Sequence, residues 1–529
     1  MPTDCISYQN SGYFSKLIVD YLNEDAEVQS FYHRFPTLEN FGLQAAEKAN
    51  RFSDVHRTVL VTALEEQYSG FTISEATKAS IELLKDNKTL TITTGHQLNL
   101  FTGPLYFLYK IVSAINLSKQ LKTSYPEYNF VPVYWMATED HDFEEINYFH
   151  FGEKKIQWNR ESKGPVGRLS TEGLTAIFEA FSKELGVGDN ASYLRELFKN
   201  AYLSHSNLTD ATRYLANELF KDQGLVIVDG DDAELKKMFI PFVKEELTKQ
   251  TSFSKVTETI AKLKEYTVQV NPREINLFYI EDTLRERILF EDGKYKINNT
   301  SITFSKSELL NKLENNPEKF SPNVILRPLY QEVVLPNICY IGGGGELAYW
   351  MELKSMFEAN DILFPILLLR NSVLLATEKQ SVKADKLNLQ WSHLFRKQAE
   401  LLNQKTAEFS NFNLDFSEQK EFLKRQFEKL NDIAANTDKS FIGAVKAQEI
   451  KQIKGLENLE KRLLKAEKRN HKDQLQRIAE LQNELFPGQS LQERKANFSE
   501  FYLENGSELI LKILDNLNPL SNTFQIITL

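Results

Sequence analysis

A run of alternating β-branched residues, Thr89-Leu90-Thr91-Ile92-Thr93, gives way to a polar turn and then to an apolar stretch of helical spacing from Pro104 to Leu121. This is strand, loop and helix, the opening unit of an α/β sheet. A loop that leaves the carboxyl end of a strand and opens a helix turns unpaired N–H groups and the positive end of the helix dipole toward one place, which makes an anion site. Thr93, Thr94, Gly95, His96 and Gln97 enter that loop, and Asn99, Thr102, Gly103 and Tyr106 leave it. Hydroxyl, imidazole and amide groups therefore surround the expected anion. Glycine lets a ligand approach the backbone, and Pro104 suits a first helical turn.

Other strand ends carry polar groups as well. The apolar run 130–136 ends in Ala137-Thr138-Glu139-Asp140-His141-Asp142-Phe143-Glu144. Carboxylates and an imidazole at the carboxyl edge of a sheet are placed to hold an ammonium or a ribose, to bind a metal, or to take a proton. Asp140, His141 and Asp142 carry this functional reading, whereas Glu139 and Glu144 fit it and an ordinary solvated turn equally well. A third strand, 225–229, ends in Asp229-Gly230-Asp231-Asp232, whose carboxylates either face the same cleft or cap the next helix. Short strands at 266–270, 277–280 and 295–297 form a small β-rich insertion of the kind that closes over a cleft.

Farther on, a strand at 324–328 leads to Arg327 and Gln331. Residues 338–341 lead into Gly342, Gly343, Gly344 and Gly345, then Glu346 and a helix over 347–357 that carries Tyr349 and Trp350. Four glycines between strand and helix make a second anion loop, although glycines also serve tight helix–strand crossings. A last strand, 362–369, ends in Arg370, Asn371 and Ser372. Arg327 and Arg370 each suit a carboxylate or phosphate, and a structural ion pair suits each as well.

At 529 residues the chain exceeds one ordinary domain, so two or three are expected. Its formal net charge of -10 disfavours a general nucleic-acid binder. Two cysteines, Cys5 and Cys339, are too few and too far apart for a disulfide framework or a zinc knuckle, and no uninterrupted apolar span has membrane length. A cytoplasmic enzyme without membrane or nucleic-acid partners is expected. Residues 1–88 read as helices prefacing the first strand. Past residue 377, Lys, Glu, Gln, Leu and Asn dominate. A seam at Leu456, Leu459, Leu463, Ala466, Asn470, Gln474, Ile478, Leu481 and Leu485 reads as a coiled coil with a stutter, where Leu475 can replace Gln474, and 416–433 is its antiparallel partner. Such a hairpin dimerises or braces, and a further helix over 497–517 packs back on the core.

Four blocks carry a resemblance to a known family. They are Thr94-Gly95-His96-Gln97 with Thr102-Gly103-Pro104-Leu105-Tyr106, then 134–142, then Leu326-Arg327-Pro328-Leu329-Tyr330-Gln331-Glu332, then 342–350. In these blocks, and over nearly its whole length, the chain resembles the bacillithiol-biosynthesis cysteine-adding enzymes, the BshC family. The resemblance implies an α/β fold: a Rossmann-like core similar to nucleotidyltransferases and class I aminoacyl-tRNA synthetases, inserted connecting segments, a C-terminal α-helical coiled coil, and a homodimer. The core is then expected over 1–376, with insertions near 150–210 and 240–320, and the coiled-coil domain over 377–529.

The implied reaction joins the carboxylate of L-cysteine to the amine of glucosaminyl-malate, giving bacillithiol. Thr93-Thr94-Gly95-His96 fits the Thr/His-x-Gly-His loop that binds ATP phosphates in such cores. A carboxylate is a poor acyl donor, so ATP or another nucleotide, with Mg²⁺, is the expected activator. His96, Asp140, His141 and Asp142 are the expected catalytic residues, the last three to accept the proton of the attacking amine. Glu139 or Asp142 would meet the cysteine ammonium, and Arg327 or Arg370 the malate carboxylates; no resident metal site is expected. Two competing readings remain. One is a metal-dependent amide hydrolase with Glu139 to Asp142 as ligands, and the other is a coiled-coil scaffold whose core binds a nucleotide or thiol metabolite without turnover.

Overall fold

The computed structural model describes residues 4–529. They form two compact units, one of residues 5–375 with 492–527 and the other of residues 376–491. Residues 492–527, expected with the coiled coil, thus belong to the first unit.

That unit is built on five parallel strands: β1 (Thr89–His96), β2 (Asn129–Met136), β3 (Val226–Asp229), β4 (Asn337–Gly342) and β5 (Ile366–Leu369). Their order across the sheet is β5-β4-β1-β2-β3. From the other edge this reads 3-2-1-4-5, a doubly wound sheet whose winding reverses between β1 and β4. The carboxyl ends of those two strands, Gly95-His96 and Gly342, therefore flank the crevice where such sheets bind ligands. Both faces are covered. On one, Leu90, Ile92, Ile338, Ile341 and Ile366 pack with Phe41 and Ala45 of helix α1 (Leu38–Arg51) and with Ala114, Leu117 and Leu121 of α2 (Tyr106–Ser124); on the other, Trp135 packs edge-on to Tyr330 at 5.4 Å.

The loop from β1 to α2 is less simple than strand, anion turn and helix. Phe101 (φ 48°) and Thr102 (φ 68°) adopt left-handed backbone, which non-glycine residues rarely do. The Phe101 ring is held among Phe149, Phe181, Phe198 and Phe498 at 5.1–5.5 Å. Its N–H donates to Tyr202 Oη at 2.7 Å, while Asn497 Nδ2 donates to the carbonyls of Phe101 (2.8 Å) and Gly103 (2.6 Å). The segment that returns after residue 491 thus clamps the loop.

Two expected strands are absent. The N–H groups of Gln269 and Val270 donate to the Glu352 carboxylate instead of to a ladder. Residues 324–328 enter helix α4 (Leu326–Val334) through a turn in which Asn323 Oδ1 accepts from the N–H groups of Ile325 and Leu326, so Arg327 stands on a first helical turn. The β-rich insertion is an antiparallel sheet of Leu277–Glu281, Leu284–Glu291, Lys294–Ile297, Thr303–Phe304 and Phe320–Pro322.

In the second unit, helix Ser417–Ala435 pairs with the first half of Lys439–Asn470 through Phe427, Ala434, Val445, Leu423 and Ile442. The expected seam is divided at His471, where one helix ends and Lys472–Leu485 begins. Leu475, Ile478, Leu481 and Leu485 are buried, and Gln474 is exposed. Leu475 has taken the seam position. Among the described residues no helix is long and apolar enough to cross a membrane.

Candidate functional site

A cleft of about 960 Å³ opens over the carboxyl ends of β1, β2 and β4. Gly95, His96, Gln97 and Tyr106 line it from the first loop, Glu139 and Asp140 from the end of β2, and Gly343, Gly344, Gly345, Glu346 and Tyr349 from the loop and helix after β4. Arg327 and Arg370 complete the expected set. Lys110, Glu145, Arg285, Asn323 and Arg494 also line the cleft and were not foreseen.

The Gly-rich loop is already capped by an anion. Helix α5 (Gly344–Met351) begins after Gly343, whose N–H donates to Glu346 Oε2 at 2.8 Å. Lys110 Nζ lies 2.6 Å from that oxygen and donates to Gly95 O at 2.7 Å, while Tyr340 Oη donates to Glu346 Oε1 at 2.8 Å. These bonds join the ends of β1 and β4. A carboxylate on the helix N-terminus also neutralises the dipole there, so the expected backbone anion loop is partly filled by the protein itself.

Anion binding falls to side chains. Arg370 is neutralised by Glu493, which it meets at 2.8 and 3.0 Å, leaving its buried Nε without a partner. Arg327 donates to Gln331 Oε1 (3.1 Å) and Tyr349 Oη (3.4 Å). A Cβ at Gly95 would lie 3.2 Å from Tyr340 Oη and 3.8 Å from Arg327 Nη1, so the glycine lets both approach β1 closely. Arg285 lies 3.9 Å over the Phe278 ring, donates to His141 Nδ1 at 2.7 Å, and keeps a buried, unpartnered Nε. Among the described residues, Arg285, Arg327 and Arg494 have no carboxylate within ion-pairing distance. Three guanidinium groups outside any direct ion pair thus line one cleft, with Asp140, Glu139 and Asp142 acting on Arg285 from longer range.

His96 stands between them with its ring against Tyr106 (5.3 Å) and Phe107 (5.1 Å). Burial, with Lys110 and Arg370 nearby, pushes its pKa well below the ordinary value, so the ring is neutral at pH 7. Its Nε2 is buried and has no partner in the protein. Asp140 is the opposite case. Burial raises its pKa, but hydrogen bonds from His141 and Gln97 and the charge of Arg285 outweigh that and hold the carboxyl below its ordinary range. It accepts from Gln97 Nε2 at 3.0 Å and from the His141 N–H at 2.7 Å. A carboxylate so stabilised is a poor proton acceptor and a good partner for a cation. Glu139 is neutralised by Lys236 at 2.7 Å, which also meets Asp231 at 3.0 Å. Asp231 is held as well by Arg168, and Asp232 caps the following helix α3 (Ala233–Lys249), so this acidic run is largely structural.

Several expected site residues lie outside the cleft. His141, Asp142 and Glu144 face a separate surface depression. Asn99 and Gly103 line a neighbouring pocket of about 400 Å³ that shares Gln97, Tyr106, Glu145 and Arg494 with the cleft. The Thr93 hydroxyl donates to Asn337 Oδ1 and that of Thr94 to Ile341 O, because both threonines are buried in the sheet. Thr102 is buried in the clamped turn. Gly342 is packed against Leu347 and Tyr340, Trp350 stacks on Tyr340 at 4.3 Å, and Gln331 is buried beneath Arg327. Asn371 bonds Ser113 and the carbonyl of Asn518.

Asp140, His141 and Asp142 each offer one ligand atom, all within 4.8 Å of one another. Their chemistry does not fit a metal, since Arg285 donates to His141 Nδ1 and Asp140 is engaged by Gln97 and the backbone.

Comparison with known proteins adds ancestry to this geometry. Residues 1–371 match the family described as "Bacillithiol biosynthesis BshC, N-terminal Rossmann-like domain", and residues 373–529 match its "C-terminal coiled-coil domain". The chain belongs to the BshC family. A relative from Flavobacterium johnsoniae named "Putative cysteine ligase BshC" is 66% identical over 529 residues, covering 100% of both chains. Relatives of the same name from Cytophaga hutchinsonii (37% identical, 98% of each chain) and Bacillus cereus (27% identical, 94% of this chain and 95% of the other) match over similar lengths. In this BshC chain, three of the cleft's lining residues have recognisable sequence contexts only in hindsight. Lys110 is the first charge in an apolar helix, whereas Arg285 and Arg494 lie in segments where charged residues abound.

Proposed function

We propose that this BshC protein is a ligase that joins the carboxylate of L-cysteine to the amine of glucosaminyl-malate, completing bacillithiol, with ATP as the activating substrate. The observation that carries the reading is the set of unpaired guanidinium groups at the switch point of a doubly wound sheet. Every reactant carries an anionic group: malate has two carboxylates, cysteine one, and ATP its phosphates. A cleft of about 960 Å³ is large enough to hold such reactants together.

In this reading, the cysteine carboxylate oxygen attacks ATP and takes either a phosphoryl group, releasing ADP, or an adenylyl group, releasing pyrophosphate. The amine then attacks the activated carbonyl, the amide C–N bond forms, and AMP or phosphate leaves with the electron pair. Arg494 and the unpaired Nε of Arg370 stabilise charge that develops on the leaving group, while Arg285 and Arg327 hold the malate carboxylates. Neutral His96 offers Nε2 to the same region. Mg²⁺, when bound with the nucleotide, would supply further charge neutralisation. Asp140 holds an ammonium group, that of cysteine or the acceptor amine before it loses its proton. A homodimer through the coiled coil belongs to this reading too, supported by Phe422, Ile433, Ile450 and Leu459, which are apolar yet exposed on the helical hairpin.

Asp140→Asn keeps the shape and removes the charge, and is expected to lower kcat/KM by about 10–100-fold, the worth of one charged hydrogen bond. Initial rates measured against each substrate in turn would check this; unchanged rates would remove Asp140 from the site. The reading as a whole is tested by mass spectrometry of protein incubated with cysteine, glucosaminyl-malate and Mg²⁺, with and without ATP. Bacillithiol formed only with ATP is the expected result, AMP indicating an adenylate and ADP an acyl phosphate. No product from folded protein would overturn it.

A further inference from the structure

Beneath the cleft, residues of the 326–332 block that do not line it form a buried chain of hydrogen bonds. Arg327 Nη1 donates to Gln331 Oε1 at 3.1 Å, Gln331 Nε2 to Glu332 Oε1 at 3.0 Å, and Asn337 Nδ2 to the same carboxylate oxygen at 2.6 Å. Asn337 Oδ1 accepts from the hydroxyls of Thr91 (3.2 Å) and Thr93 (2.8 Å). Lys48 of α1 lies 3.7 Å from Glu332 Oε2, and Gln331, Glu332, Asn337 and Lys48 are all buried.

We propose that Glu332, which does not line the cleft, is the positioning residue of Arg327: its carboxylate fixes the Gln331 amide so that the amide oxygen faces the guanidinium. A guanidinium has only donors, so Gln331 must present oxygen to it and turn its NH₂ away. That NH₂ then needs an acceptor in a buried place. Glu332 Oε1 is that acceptor, because the oxygen of Asn337 is committed to two threonines. One carboxylate thus orders both amides and ties Arg327 to Thr93 on β1 through groups that do not line the cleft.

The chain is sensitive to pH. Burial pushes the Glu332 carboxyl up to about 7, against the pull of Lys48, Asn337, Gln331 and Arg327. Of the groups facing it, the Cys339 thiol on β4 is itself pushed up by burial and by Glu332, and the His56 ring lies against the Val333 carbonyl of the same helix α4. As pH falls through 7 the carboxylate gains a proton. On Oε1 that proton opposes two amide donors; on Oε2 it faces the Lys48 ammonium. The first breaks the order beneath Arg327 and the second removes the charge attraction to Lys48 that seats the carboxylate, so anion affinity is expected to weaken on the acid side.

Glu332→Gln reproduces the conflict permanently, because its NH₂ must face either the amides or Lys48. Its kinetic test rests on the ligase reading. KM for glucosaminyl-malate is expected to rise about tenfold or more with kcat within about threefold, and the rise of KM below pH 7 should vanish. The double variant K48M/E332Q lets the new NH₂ take the Oε2 position beside an uncharged chain, and should bring KM back to within about threefold of wild type. Crystal structures of both variants provide a readout independent of turnover: the Arg327–Gln331 bond is expected to be lost in E332Q and present in K48M/E332Q. An intact bond with unchanged KM in E332Q would overturn the proposal. If wild type forms no product, the ligase reading fails and the two crystal structures alone decide the role of Glu332.

Discussion

Replacing Glu493 with alanine is expected to destabilise the first unit by about 3–5 kcal/mol, the range for breaking one side of a buried ion pair. Glu493 meets Arg370 at two positions, 2.8 and 3.0 Å, and accepts the Val373 N–H at 3.1 Å. Both partners are buried. Truncation would leave a guanidinium without counter-ion beside β5 and a buried N–H without an acceptor. Thermal unfolding should show a fall in Tm of about 5 °C or more. Arg370→Met in the same chain should recover most of it, because removing both charges leaves neither unpaired. A Tm equal to wild type in E493A would show that this pair does not tie the returning segment to the sheet.

The second large effect is expected at the unpaired guanidinium groups. Arg285→Ala and Arg327→Ala should each lower kcat/KM by about 10–100-fold, as befits one hydrogen bond to a charged group, and the two together by about 10²–10⁴. Lysine should restore little, since a point charge on a flexible stem does not reproduce a planar fork already ordered by Phe278 or by Gln331 and Tyr349. Steady-state kinetics with glucosaminyl-malate as the varied substrate would read this. Comparable rates in wild type and R285A/R327A would place anion recognition elsewhere.

Much of this site could be read in the sequence because it lies at strand ends. β1, β2, β4 and β5 appear as apolar or β-branched runs, and Gly95, His96, Asp140 and Arg370 follow where the runs stop. The sequence did not reveal how neighbours share charge. Glu346 reads as a binding residue of the glycine loop, yet its carboxylate fills the helix N-terminus that the glycines seemed to leave open. Thr93, of the first loop, and Gln331, of the 326–332 block, serve the buried chain under Arg327 and do not line the cleft. His141 was expected beside Asp140 in the cleft, but the turn after β2 carries it outward against Phe278. A helix over 497–517 packing back on the core was legible, but not that Arg494 and Asn497 would reach the site. They follow more than a hundred residues of helical unit, and only the return of 492–527 to the sheet brings them to the loop after β1.

The switch-point cleft is proposed to recognise the anionic groups of its substrates through guanidinium groups that stand in no direct ion pair. The most direct measurement is calorimetric titration of wild-type protein with glucosaminyl-malate and with methyl glucosaminide, which has the same amine and sugar but no malate. The account predicts that the malate-bearing compound binds at least about 100-fold more tightly and that R285A/R327A abolishes the difference. Equal affinity for the two compounds in wild type would contradict it.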